Sequence, residues 1–116
     1  MKYNQKLLMN MFRSKAYEAL GGMIKDVRWF DVSANEKLNM KVVWDSAFGE
    51  KTIFIKLYED CARINAYYYN TPLFLKEYQS TTNYDRFQEM IFEKWCFVLD
   101  KLGEVERIEE DLNAGL

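Results

Sequence analysis

The chain has 116 residues, of which 49% are apolar and 29% charged, with a formal net charge of −2. This length fits a single α+β domain spanning 1–116, and the composition lies far from that of disordered chains. The complete absence of histidine removes His-ligated metal sites, Ser-His-Asp and Cys-His nucleophile pairs, and the commonest general base.

The N-terminus reads Met-Lys-Tyr-Asn-Gln-Lys, too polar for the apolar region of a signal peptide. The longest uninterrupted apolar run, Trp95 to Leu99, is far short of a membrane span. A cytoplasmic location without membrane partners is the expectation. From there the apolar residues Tyr3, Leu7, Leu8, Met11, Phe12, Ala16, Ala19 and Leu20 fall on one helical stripe. Gly21-Gly22 follows directly and acts as the stop, which predicts a first helix over 2–20.

The apolar period then changes to two. Val27 to Val32 is rich in β-formers and predicts a first strand, with Trp29 and Phe30 competing for the inner side. Leu38, Met40, Val42 and Trp44 alternate with residues of the opposite face in a second strand. Ile53, Ile55 and Leu57 do so in a third, and Ile64, Ala66 and Tyr68 in a fourth. The links Ser33–Glu36, Ser46–Gly49 and Glu59-Asp60 are hairpin-sized, so the strands form an antiparallel meander. Asn70-Thr71-Pro72 ends the fourth strand, because proline cannot donate to a ladder. Leu73 to Glu77 fits either a short helical turn or an edge segment.

Ser80 to Asn83 offers N-cap residues for a second helix. Its stripe is Tyr84, Phe87, Met90, Ile91, Trp95, Val98, Leu99 and Leu102. Gly103 either ends or weakens that helix, and the acidic segment 103–116 either frays or carries the same stripe onward through Val105 and Ile108. The expected architecture is therefore a two-layer sandwich, α-β-β-β-β-α, with both helices on one face of a four-stranded antiparallel sheet.

A bare sheet face is the consequence. With a two-residue turn at Glu59-Asp60, Tyr58 pairs with Cys61, Lys56 with Arg63, Phe54 with Asn65 and Thr52 with Tyr67. Phe54, Tyr58, Tyr67, Lys56, Arg63 and Lys41 then share the uncovered face, with Tyr69 nearby. Rings interleaved with cations suit three uses. The side chains can cover one another, with Lys stems over ring edges; they can dock a protein, including a second copy; or they can stack the bases of single-stranded nucleic acid. The sequence pI of about 5.2 weighs against the last.

Charge is also uneven along the chain. Residues 1–30 hold six Lys/Arg and two Asp/Glu, whereas residues 100–116 hold two and six, so either the two ends of the chain complement each other or the acidic end meets a basic partner. Glu106, Glu109 and Glu110 belong to this acidic end and are candidate contacts for a basic protein partner. Asp85, Glu89 and Glu93 recur every four residues on the second helix and read as a solvated strip, so no metal or other cofactor is expected. Cys61 lies beside Glu59 and Asp60, neighbours that raise a thiol pKa, so no catalytic residue is expected either.

In size, acidity and helix–sheet–helix order the chain resembles the type III secretion chaperones in plan, and small acidic immunity proteins and phage-encoded inhibitors share that kind of layout. No residue motif carries the likeness, so no residue role transfers. The expected function is binding of a protein partner without catalysis, by an inhibitor, immunity, chaperone or adaptor type of protein. Single-stranded nucleic-acid binding is the alternative, and a small hydrolase or ligand-binding domain comes third.

Overall fold

The computed structural model describes residues 4–115. Helix α1 spans Gln5–Leu20, and a single 3₁₀ turn, Gly21–Met23, leads into the sheet. Five strands follow: β1 Ile24–Trp29, β2 Glu36–Ser46, β3 Gly49–Tyr58, β4 Cys61–Tyr68 and β5 Thr71–Gln79. Helix α2, Tyr84–Asn113, closes the chain. All neighbouring strands are antiparallel, in the order β1-β2-β3-β4-β5.

Local chemistry explains the boundaries. Asn4 accepts from the Leu7 amide at 2.8 Å and caps α1, and Gly21, at φ 53°, ends it by returning its N–H to the Tyr17 carbonyl. Asn83 caps α2 by accepting from the Arg86 amide at 3.0 Å. The Glu59-Asp60 turn sets the expected register, with Lys56 opposite Arg63, Phe54 opposite Asn65 and Thr52 opposite Tyr67.

Both helices pack on one face. Leu8, Phe12, Ala16 and Leu20 of α1 share one core with Phe87, Ile91, Trp95 and Leu99 of α2. The expected inner residues Leu38, Met40, Val42, Trp44, Ile53, Ile55, Leu57, Ile64 and Ala66 complete it, all buried. Each large side chain fully buried here contributes about 1.5–3 kcal/mol. The Trp95 indole also donates to the Phe12 carbonyl at 2.9 Å, locking the two helices at the centre of the core. Tyr68, also expected inside, is only half-buried and donates its hydroxyl to the Phe48 carbonyl at 2.7 Å.

The sheet has five strands where four were expected. Residues 71–79, which fit two readings, form the edge strand β5, and Pro72 lies within it opposite Tyr67, where the register shifts. An edge position tolerates the missing N–H, so the proline does not terminate the sheet. Strand β1 starts three residues earlier than expected and carries a bulge between Ile24 and Asp26. Trp29 pairs with Met40 and meets Arg13 of α1 at 5.9 Å, placing its ring on the helix side, yet both Trp29 and Phe30 remain exposed. Helix α2 also runs through Gly103 rather than stopping there. A Cβ at residue 103 would stand 2.8 Å from the Ala19 carbonyl oxygen, so glycine is what lets α1 and α2 approach so closely.

Candidate functional site

Because both helices cover the inner face, no layer lies over the outer face of the sheet among the described residues. The observed registers assemble it from side chains of all five strands. Phe54 of β3 lies opposite Lys41 on β2 and Asn65 on β4, and Asn65 in turn faces Leu75 on β5. At its centre the Phe54 and Tyr67 rings meet edge-to-face, with centroids 6.2 Å apart. The Lys41 ammonium lies 5.6 Å from the Phe54 centroid, a cation–π distance. Lys41, Thr52, Phe54, Tyr67, Tyr69 and Asn70 line a shallow hollow of about 370 Å³.

Alternation therefore brings Phe54, Lys56, Tyr58, Arg63 and Tyr67 together, each partly or fully accessible. Tyr69 reaches the same hollow from the β4–β5 turn and is 63% exposed. Its φ of 52° is a conformation that non-glycine residues seldom adopt. Leu73 and Leu75 of β5 add exposed apolar surface that sequence reading missed, since the strand itself was not counted. Val43, on the same face, is only 8% exposed. Arg63 leans toward Glu77 across the β4–β5 pair at 3.7 Å, and Arg28 pairs with Asp26 at 3.1 Å. Lys41, in contrast, is directed at a ring.

The acidic end of the chain behaves differently. Glu106 is 0% exposed and accepts from Lys51 at 2.6 Å, and Glu109 accepts from the same ammonium at 2.7 and 2.8 Å. Glu106 is thus an interior residue and cannot touch a partner in this fold; Glu109 is half-buried, and Glu110 is exposed. A signal for this existed in the sequence. Lys51 shares the phase of Ile53, Ile55 and Leu57, and an inward lysine requires a carboxylate opposite it. Burial pulls the Lys51 ammonium down, but its bonds to Glu106 and Glu109 outweigh that, and its pKa lies above the ordinary lysine value.

Neither thiol is activated. Burial, followed by the charge of Asp60, pushes Cys61 up, and burial pushes Cys96 up. Among the described residues no three Cys, Asp or Glu side chains gather as a metal site, and no helix is long and apolar enough to cross a membrane. No protein-family model, curated protein or solved structure matches this chain.

Proposed function

We propose that this chain is a non-enzymatic binding protein of the inhibitor, immunity or chaperone/adaptor kind, which docks a protein partner on the outer face of its sheet. The observation that carries this reading is the Phe54–Tyr67 ring pair, set with Lys41 and Tyr69 around a hollow on a face with no covering layer. Aromatic rings at the centre of a patch with cations beside them have the composition of interface hot spots. The raised thiols and the missing histidine support binding rather than covalent chemistry. With Glu106 and Glu109 held by Lys51, the sheet face is a better contact surface than the acidic end of α2.

The test compares partner capture by the wild-type chain and by a Phe54→Ala/Tyr67→Ala variant in cells that naturally make the protein. One stoichiometric protein is expected with wild type. Loss of two hot-spot rings should weaken its binding by about 30-fold or more. Equal capture by both chains would overturn the assignment to this face. A second reading has one observation in its favour, the alternation of Lys41, Lys56 and Arg63 with rings that can stack bases. Salt-sensitive binding to a labelled oligothymidylate, lost in Tyr67→Ala with Lys56→Ala, would replace the protein partner with a nucleic acid.

A further inference from the structure

A second surface of the molecule is also uncovered. Phe97, Val105, Ile108 and Leu112 of α2 are between 42% and 62% exposed. At about 100° per residue these four positions fall within about 80° of arc, so they form one stripe rather than scattered residues. Glu93, Glu104 and Asp111, all exposed, recur along one flank of that stripe within about 20° of arc, as an acidic ridge, while Lys101 lies within the stripe, its ammonium 5.6 Å from the Phe97 ring centre and 3.7 Å from Glu104. Helix α1 packs against the other side of α2, through Lys15–Asp100 at 2.7 Å and the close approach at Gly103, and leaves this stripe open.

The two uncovered surfaces complement each other. A sheet face without a helix and a helix stripe without a sheet are the halves of the packing that forms this protein's own core. The sheet half carries Lys41 and Lys56 beside Phe54, with Arg63 paired to Glu77; the helix half carries three carboxylates against one cation, Lys101, beside its apolar side chains. Lengths agree as well: Phe97 to Leu112 spans about 22 Å of helix, and eight residues of strand span about 26 Å. Like-with-like pairing is less favourable, since sheet on sheet would oppose lysines and stripe on stripe would oppose the acidic ridges.

We propose that the outer sheet face of one copy receives the α2 stripe of another, a head-to-tail contact between copies of this chain. The proposal rests on reading the outer face as a docking surface, and it names a second copy as the occupant. Each copy offers both halves, so the contact is heterologous and propagates into rings or open chains instead of stopping at a dimer.

Sedimentation of the wild-type chain over a concentration series up to about 1 mM should give a mass that rises past the dimer and falls with added salt. Phe54→Glu blocks the sheet half and Ile108→Glu the helix half, so each variant alone should remain monomeric. Mixed in equal amounts they should form a one-to-one heterodimer that grows no further, because each supplies the half the other lacks. The charge-reversal variants Lys41→Glu/Lys56→Glu and Glu104→Lys/Asp111→Lys leave the core untouched, and each should weaken association at least tenfold. A chain carrying all four reversals should associate again. Wild type that stays monomeric throughout would overturn the head-to-tail contact while leaving docking of a different protein intact. A strict dimer abolished by Phe54→Glu and unaffected by Ile108→Glu would overturn it in favour of sheet-on-sheet pairing. Failure of the two single variants to complement each other would also overturn it.

Discussion

The Tyr69 phenol occupies the space into which a side chain on residue 49 would project. A Cβ on Gly49 would stand 2.6 Å from the Tyr69 hydroxyl oxygen, and Gly49 itself has φ +141°. The Tyr69 amide donates to Glu50 at 3.3 Å, and its ring meets Tyr68 at 4.8 Å, so the β4–β5 turn is folded down onto the start of β3. This arrangement brings Tyr69 to the hollow beside Phe54.

Gly49→Ala should therefore lower stability by about 1–3 kcal/mol, combining backbone strain with the steric clash. Urea unfolding measures the loss. Adding Tyr69→Ala should recover the steric part and not the backbone part, so the double variant should be less destabilised than the sum of the two single changes.

Lys51→Met should cost about 3–5 kcal/mol, because it leaves the Glu106 carboxylate buried without its cation. The pH dependence follows from the raised Lys51 pKa. Stabilisation by this cluster is fully present below the unfolded-state lysine value of about 10.4 and is lost as pH rises through the higher folded value. The gap in unfolding free energy between wild type and a Glu106→Gln variant should thus hold steady near neutrality and close in strongly alkaline solution.

Tyr84 is pushed up to about 12, first by burial and then by the charges of Asp85 and Glu59. Its hydroxyl is buried without a hydrogen-bond partner. Ultraviolet titration should find a late phenol ionisation at about pH 12 that disappears in Tyr84→Phe. Tyr84→Phe should be neutral or stabilising by up to about 1 kcal/mol, since it removes an unsatisfied polar group. Its advantage should grow above the normal tyrosine pKa of about 10, where the unfolded wild-type chain gains an ionised phenolate that the fold resists.

Gly103→Ala would raise intrinsic helix propensity by about 1 kcal/mol. It should nevertheless destabilise the protein, because the new methyl meets the Ala19 carbonyl at 2.8 Å and forces α1 away from α2. A fall in melting temperature, together with altered near-ultraviolet circular dichroism from Trp95 at that seam, is the expected outcome.

Alternation of period two made the inner rows of β2, β3 and β4 readable, Tyr68 excepted, and the Glu59-Asp60 turn made the β3–β4 register readable. Those two signals placed Phe54, Lys56, Tyr58, Arg63 and Tyr67 on one face. Strand β5 escaped because Pro72 argues against a strand everywhere except at an edge, and whether a segment lies at an edge is decided by tertiary structure. Gly103 escaped for a related reason: a glycine that permits close packing and one that stops a helix look alike until the neighbouring helix is in place. Glu106 looked like a surface acid among other acids. The inward phase of Lys51 called for a buried carboxylate, but which acid meets it, 55 residues along the chain, is decided by how α2 lies on the sheet.

The proline and register shift in β5 have a consequence for how a bare face can be tolerated. A foreign strand arriving at that border would find one amide missing at Pro72 and a skewed row of donors beside it. The opposite border is bent by the bulge between Ile24 and Asp26. Lateral growth into a fibril is therefore discouraged at both rims, so a broad side bare of helices carries less risk of seeding amyloid.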